Sequence, residues 1–468
     1  MSRRSNRRDF LKQTSLAGLG FWAAGGLALA DGKSANEKLN IACIGVGGKG
    51  SSDTSHAAEV GNVVAMCDID DNTLHGKLDQ LKRHGKVKDV KTYNDFRKLL
   101  DEMGNQIDAV TVSTPDHTHA QAAIRAMRMG KHVYCQKPLT HTVWEARLMR
   151  QTAREHKLCT QMGNQGTASS GLRKGVEIIR SGAIGPVHEV HVWTNRPIWP
   201  QAPEVTAPPR STPVPKHIHW DLWLTGAPFR PYSGVIMNNG HPPYHDFNWR
   251  GWWDFGTGAL GDMACHTANL AYMALKLGLP TTIEAESGPV NPQTYVGWAR
   301  IKYSYPARGD MPPVTFYWYE GHRDGKKLLP PAELAHGMRY SDSGSLMVGE
   351  KGVLFSPNDY GERYHLLPKE KFEGYKDPEK TLPRNPDGDG NTDLGMKKEW
   401  VQAIKEGKPH IALSNFDYSS HLTEAMILGN VAVRIGQRIE YDPHTGKVTN
   451  EPEANRFIHL EYRKGWDL

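Results

Sequence analysis

The chain has 468 residues, 38% hydrophobic and 23% charged. That is length for about two to four domains and a globular balance, which excludes a disordered or collagen-like chain. The net charge is +6, and residues 1–30 supply +4 of it, through Arg3, Arg4, Arg7, Arg8 and Lys12 against Asp9. The remainder carries no basic stripe of the kind that marks nucleic-acid binding. It also has no apolar run of about 18 residues, the length a membrane-spanning helix needs.

Arg7-Arg8-Asp9-Phe10-Leu11-Lys12 is a twin-arginine pattern. An apolar stretch from Leu16 to Leu29 follows, with the small-x-small site Ala28-Leu29-Ala30. Residues 1–30 therefore read as a bacterial Tat export signal and 31–37 as a linker, with the Tat machinery as a partner and the periplasm as destination. An uncleaved anchor helix is the alternative, and it suits a longer, less Gly-rich stretch. The five cysteines, Cys43, Cys67, Cys135, Cys159 and Cys265, form no CxxC and are odd in number. Buried free thiols are expected.

Residues 38–163 read as a first domain. The apolar run 38–45 leads into Gly45-Val46-Gly47-Gly48-Lys49-Gly50, then a helical stretch from Ser51 to Val60, then the run Val63 to Cys67 ending at Asp68. Strand, G-x-G-x-x-G, helix, strand and acid is a dinucleotide-binding pattern. Gly45, Gly47, Gly48 and Gly50 let backbone approach a pyrophosphate, and Asp68 suits a ribose 2′-hydroxyl. A 2′-phosphate would meet its charge, so NAD is favoured over NADP. Helices are expected over 71–82, 94–102, 115–130 and 142–155, and strands over 107–113, 131–136 and 158–162. That alternation predicts a doubly wound parallel sheet, with ligands at the carboxyl ends of its strands. Thr114-Pro115-Asp116-His117-Thr118-His119 and Gln136-Lys137-Pro138 follow two such ends. Thr114, Pro115, His117, His119, Gln136 and Lys137 are thus expected at the cofactor. His117 and His119 also suit backbone-bonded loop histidines. A metal is not assigned to them, because no third ligand is identifiable.

These motifs, in this order and spacing, resemble the N-terminal domain of the Gfo/Idh/MocA oxidoreductase family. The resemblance extends to the Gly-rich segment Gly258 to His266, which holds D-x-x-x-H. It implies an NAD-dependent oxidoreductase with Lys137, Asp262 and His266 as catalytic lysine and Asp/His pair. With a Tat signal it resembles the exported branch, which includes glucose–fructose oxidoreductase and NAD-dependent glycosidases. Where the family commonly has Glu-Lys-Pro, Gln136 stands for the glutamate. A neutral neighbour is expected to tilt Lys137 toward proton transfer.

Asp262 and His266, four apart, share one face of a helix. A carboxylate beside an imidazole orients it and raises its basicity. The same pair also suits a metal half-site or a structural hydrogen bond. Lys137 would hold a substrate hydroxyl and stabilise charge on its oxygen.

Residues 164–440 read as a second, α+β domain on an open, largely antiparallel sheet, with β-forming segments over 185–204 and 281–320. By analogy with the family, that sheet pairs subunits of a homo-oligomer. Between these segments lie a Pro-rich loop, 197–215, and a passage rich in aromatics and histidine. Aromatic faces suit sugar rings, and polar groups suit hydroxyls. Tyr244, His245, Trp249 and Arg250 are the expected substrate residues, with Trp223 and Trp253 in the core. Helices are expected over 394–406 and 420–435, the second packing on the first domain. Residues 441–468 read as an extended tail.

The leading expectation is an exported NAD-dependent oxidoreductase acting on a sugar, cyclic polyol or glycoside. The periplasm lacks a cytoplasmic supply of NAD(H), so the cofactor is expected to stay bound and be recycled. The alternatives are a redox-neutral glycosidase or lyase, working by transient hydroxyl oxidation, and a non-catalytic carbohydrate-binding protein.

Overall fold

Six short, mostly apolar runs alternate with helices through the first third of the chain. The computed structural model describes residues 38–385 and 387–468, so the expected export signal and linker lie outside the described residues. The strands are β1 (Asn40–Ile44), β2 (Asn62–Cys67), β3 (Lys91–Tyr93), β4 (Ala109–Val112), β5 (His132–Cys135) and β6 (Thr160–Met162). They form one parallel sheet in the order β3-β2-β1-β4-β5-β6. β1, β4 and β5 are almost wholly buried, as strands covered on both faces must be. The helices are α1 (Gly48–Val60), α2 (Asp71–Arg83), α3 (Phe96–Met103), α4 (Asp116–Arg128) and α5 (Val143–Glu155).

Side-chain caps fix where several helices begin. The Asp70 carboxylate accepts the amides of Asn72 and Thr73 at the start of α2, and Asp95 accepts that of Arg97 at α3. At α5, Thr142 and Glu145 form a reciprocal capping box. Strand order reverses between β1 and β4, so the crevice above their carboxyl ends is the ligand position of this fold.

After α6 (Ser170–Arg180), β7 (Val187–Trp193) opens a second sheet. A long insert follows, containing α7 (Trp220–Leu224), and leads into α8 (Gly258–Thr267) and α9 (Asn269–Leu275). The sheet is then built by β8 (Thr282–Ser287), β9 (Trp298–Tyr305), β10 (Val314–Arg323), β11 (Lys326–Lys327), β12 (Gly344–Gly349), β13 (Gly352–Ser356) and β14 (His365–Leu367). Two long helices follow, α10 (Thr392–Glu406) and α11 (Phe416–Ile435). The order is β14-β13-β12-β7-β10-β9-β8, and only β7 with β10 is parallel among these pairs.

α11 packs on α5 of the first sheet and on α8 and β8 of the second. Its apolar residues Leu422, Met426, Leu428 and Ala432 join the core cluster that both sheets share. The outer face of the second sheet is not uniform. Trp193, Tyr319, Leu346 and Phe355 are covered by Leu328, Leu334, Met338 and Tyr340 from the segment after β11. Across β8 and β9 the face is charged, with Glu286 pairing Arg300 and Arg323.

The C-terminal stretch differs from the extended tail expected. It forms β15 (Ile439–Asp442), which joins β8, then β16 (Lys447–Val448) and α12 (Asn455–Ile458). Trp466 finishes against Phe96 and under the Arg97 guanidinium at 3.9 Å. The apolar surface of Trp466 explains this, since it is buried on the first domain. All five cysteines are buried and unpaired. No described helix is long and apolar enough to cross a membrane.

Candidate active site

A cleft of about 1000 Å³ opens above the carboxyl ends of the first sheet. Its floor is the turn from β1 to α1. There Gly45 takes φ +77°, and a Cβ at this position would lie 2.6 Å from the Ser113 carbonyl oxygen. Gly47 is pressed by Thr73 in the same way, whereas a Cβ on Gly48 would meet nothing within 4 Å. Gly48 thus leaves open space above the first turn of α1, where backbone amides suit a pyrophosphate. Gly50 does not line the cleft. A Cβ there would strike the Gly45 carbonyl oxygen at 2.1 Å, so its work is close packing of helix on turn.

Asp68 follows β2 directly and faces the cleft. Its Oδ2 accepts the Val46 amide at 2.8 Å and its Oδ1 the Asp70 amide at 3.1 Å. Burial pushes its pKa up, and those two amides oppose the rise. The glycine cradle and this oriented carboxylate fit a dinucleotide whose ribose carries free hydroxyls. Thr114, Pro115, Gln136 and Lys137 also line the cleft, from the turns after β4 and β5.

The reactive end gathers around Asp262, on the first turns of α8. The Lys137 ammonium donates to Asp262 Oδ1 at 2.9 Å and to the Asp262 carbonyl at 2.6 Å. Arg196 Nε lies 3.3 Å from Oδ2, and Arg250 Nε 3.5 Å from Oδ1. Burial alone would raise the pKa of this carboxyl. The three cations outweigh it and hold the group ionised well below the usual range.

His266 lies one turn along α8, 5% exposed and edge-on to Tyr360. It makes no hydrogen bond to Asp262. Its Nδ1 is buried with no partner among the described residues. Burial first, and then the Lys137 charge, push its pKa well down. The expected carboxylate-oriented imidazole is therefore replaced by two separate groups: a carboxylate that anchors cations and a neutral imidazole with an unused ring nitrogen. The reason is competition, because three cations outbid a neutral imidazole for Asp262.

Several other expectations move. Gln136 does not sit as the neutral neighbour that tunes Lys137. Its Nε2 donates to Asp53 Oδ2 at 2.8 Å, beneath the floor, and the carboxylate beside Lys137 is Asp262. His117 and His119 lie behind the cleft wall rather than at the cofactor. The ring nitrogens of His117 face the carbonyls of Trp223 and Phe255, at 2.9 and 3.2 Å. Those of His119 face Pro138 and Thr114, at 2.9 and 2.8 Å. Burial lowers the two pKa values to about 3 and about 4. Each neutral ring donates to one carbonyl at a time. His117 ties the first domain to the insert, and His119 ties the Thr114 turn to the loop that carries Lys137.

Tyr244 is buried among Trp220, Trp223, Trp252 and Phe255 and does not reach the cleft. His245 does reach it, but over the turn after β2, with Nε2 3.7 Å from Asp70. It makes no contact with Lys137 or Asp262. Trp249 and Arg250 are at the reactive end, the guanidinium 4.3 Å from the centroid of the Trp249 ring. Trp223 and Trp253 are both core.

Three features escaped the sequence reading. Asp116 lies inside the quoted motif, yet its neighbouring histidines drew the assignment. It lines the cleft, accepts the Thr257 hydroxyl at 2.6 Å, and is pushed up to about 7 by burial. Arg196 follows β7 at the edge of a Pro-rich loop, with no local signal. Trp466 lies in the presumed tail and lines the cleft from the far end of the chain.

Known proteins bear on this geometry directly. The model for the oxidoreductase family's NAD-binding Rossmann fold matches residues 39–164, and that for its C-terminal alpha/beta domain matches 181–311. The chain belongs to the Gfo/Idh/MocA oxidoreductase family. It carries that family's NAD-binding Rossmann fold, and its relatives include sugar-related enzymes. A glycosyl hydrolase family 109 protein of Solibacter usitatus is 31% identical over 180 residues, 34% of this chain and 39% of that protein. Inositol 2-dehydrogenase of Salmonella typhimurium is 28% identical over 157 residues, 33% and 45% of the two chains. The matched stretches span under half the length of these curated relatives. Among solved structures, the WlbA dehydrogenase of Chromobactrium violaceum, in complex with NADH and UDP-GlcNAcA, superposes with TM-score 0.58 at 15% identity, over 87% of this chain and 97% of that one. Aldose-aldose oxidoreductase of Caulobacter crescentus gives 0.54 at 15% identity, over 86% and 100%. These two share the fold.

Proposed function

We propose that the protein is an exported NAD-dependent oxidoreductase that acts on a sugar, cyclic polyol or glycoside and retains its cofactor through the catalytic cycle. The observation that carries this reading is the meeting of the Lys137–Asp262 pair with the unpartnered His266 in the cleft that the glycine turn and Asp68 open into. NAD, when bound, supplies a hydride acceptor. Lys137, anchored by Asp262, holds the substrate hydroxyl oxygen and stabilises the negative charge that develops on it. His266 is neutral and lines the cleft, so it is the group that accepts the hydroxyl proton.

Retention of the cofactor is supported by how the insert closes over Asp68. The Asp71 amide donates to the His217 carbonyl at 2.9 Å, and the His219 amide to the Ile69 carbonyl at 2.9 Å. Together they pin residues 217–219 across the turn after β2, while Trp466 and Phe96 close the other side. Export rests on the Arg7-Arg8 motif. Homo-oligomeric assembly, through the second sheet, belongs to the same reading and is checked by light scattering.

A redox-neutral glycosidase is the second reading, and Asp116 favours it. That chemistry needs one more proton-handling group than a dehydrogenase does. A carboxyl held near pH 7 at the cleft wall supplies it, where Tyr244 and His245 do not.

The test is to purify the processed protein without added nucleotide, denature it and assay the supernatant for NAD(H). About one equivalent per chain is expected, and an empty site would sink the retained cofactor. Release of aglycone without net NADH would select the second reading over the first.

A further inference from the structure

Three cations and one carboxylate meet at the reactive end. Lys137 comes from the turn after β5, Arg196 from the end of β7, and Arg250 from the turn 248–251 of the insert. Among the described residues, Asp262 is the only acid that pairs with any of them. Asp116 lines the same wall but is kept largely protonated by burial below about pH 7. Asp359 also lines the cleft and forms no ion pair with the three. Lys49, which also lines the cleft, is already matched by Asp53 and Asp393.

The two arginines are underused by the protein. A guanidinium that merely fixes a carboxylate grips it with two parallel N–H groups. Here Arg196 donates to Asp262 through Nε alone, at 3.3 Å, and Arg250, whose Nε lies 3.5 Å away, makes no hydrogen bond to it. The Nη1 of Arg250 donates to the Phe247 carbonyl, and that of Arg196 to the Asn195 side chain. Neither Nη2 has a protein acceptor among the described residues, and both side chains line the cleft. Arg250 is also held flat against Trp249 and Phe247, at 4.3 and 4.8 Å from the ring centroids. Its orientation is thus fixed before any ligand arrives. Partly buried cations in excess are costly unless a further anion completes them.

We propose that the substrate carries an anionic group, a carboxylate as in a uronic acid or a sulfate or phosphate ester, which docks between Arg196 and Arg250 beside the Lys137–Asp262 pair. This deepens the oxidoreductase reading and rests on it. The reacting hydroxyl is then presented to Lys137 and His266 by a charge-assisted grip on another part of the ring. Neutral sugars make the same hydroxyl contacts but leave both forks empty.

The experiment uses the processed protein with its bound cofactor and matched sugars: methyl glucuronides against methyl glucosides, methyl galacturonides against methyl galactosides, and glucose 6-sulfate and 6-phosphate against glucose. Calorimetry reads binding, and absorbance at 340 nm reads reduction of the bound nicotinamide. The charged member of at least one pair is expected to bind about tenfold tighter, the scale of one charge-assisted hydrogen bond. Arg196→Gln or Arg250→Gln should erase that preference, weakening the charged sugar about tenfold more than its neutral partner. Which pair shows it separates a carboxylate from an ester. Equal binding of all pairs, no binding at all, or variants that weaken charged and neutral sugars alike would overturn the anion site. The last result would mean that the arginines merely position Asp262. If neutral sugars reduce the bound cofactor as well as charged ones, the anion site fails and the oxidoreductase stands. A charged-sugar preference without reduction by any sugar would remove the oxidoreductase reading instead.

Discussion

Asp53 and Asp262 are both buried carboxylates held by more than one cation, and they do opposite work. Under the cleft floor, Asp53 Oδ1 takes Lys397 at 2.6 Å and Lys49 at 2.8 Å, while Oδ2 takes Ser113 and Gln136, each at 2.8 Å. Every acceptor position is filled, charges balance once Asp393 joins Lys49, and Lys397 is fully buried. At the cleft wall, Asp262 is reached by one short ammonium contact and two long guanidinium ones, next to an imidazole with an unused nitrogen. Burial opposes ionisation in both, and the cations overcome it in both. What separates a structural cluster from a chemical one here is leftover hydrogen-bonding capacity facing a cavity.

The sharpest break of that comparison comes from removing one lysine of each cluster. Lys137→Ala is expected to lower turnover about 10³-fold or more, since it deletes both the grip on the hydroxyl oxygen and the stabilisation of charge on it. Its melting temperature should stay close to wild type, because Arg196 and Arg250 still cover Asp262. Lys397→Met is expected to do the reverse. Stripping a fully buried partner from Asp53 costs about 3–5 kcal/mol of stability. Activity per folded molecule should persist. Thermal unfolding beside initial rates decides both, and a Lys397→Met protein of wild-type stability would end the structural reading of the Asp53 cluster.

Asp116 sharpens the comparison through pH. Its folded pKa, about 7, lies above the ordinary carboxyl value, chiefly because of burial. The folded state therefore binds the extra proton between about pH 4 and 7, and this group makes stability fall as pH rises through that window. Asp116→Asn removes the fall. The variant should match wild type near pH 4 and gain in melting temperature relative to it toward pH 7 and above. If the group donates a proton in catalysis, kcat/KM falls above about pH 7 in wild type, and that limb disappears in the variant. A limb that survives Asp116→Asn assigns the proton elsewhere.

Much of this was legible in the sequence for a physical reason: local patterns fix local structure. Buried parallel strands must be apolar runs, and a helix over a pyrophosphate needs glycine before it. So the alternating strands and helices up to β6 are readable, and Asp68 and Lys137 fall at strand ends as that pattern predicts. The pairing of side chains across the cleft is not readable. Nothing within a few residues of Gln136 shows that it turns to Asp53, or that Asp262 prefers three cations to His266, because Asp53 stands 83 positions from Gln136, and Lys137 and Arg196 stand 125 and 66 positions from Asp262. The tail was misread for a similar reason. Trp466 has no periodic neighbours, and its burial depends on Phe96 and Arg97 from the first domain.

The smallest effect tests the aromatic insert. Tyr244 looked like a sugar contact because tyrosine, histidine, aspartate, tryptophan and arginine crowd residues 244–250. In the fold, consecutive side chains of that passage part company. Arg250 and Trp249 turn to the reactive end, His245 to the turn after β2, and Tyr244 away from the cleft, into the stack of Trp220, Trp252 and Phe255. Its ring fills core volume, and its hydroxyl meets Arg230, which opposes the rise in pKa that burial imposes. Tyr244→Phe keeps the ring and deletes one hydrogen bond, so a loss of about 1 kcal/mol in stability is expected, with kcat/KM unchanged. A raised KM for sugar at unchanged stability would place the hydroxyl in the pocket and reverse the division of the insert into wall and core.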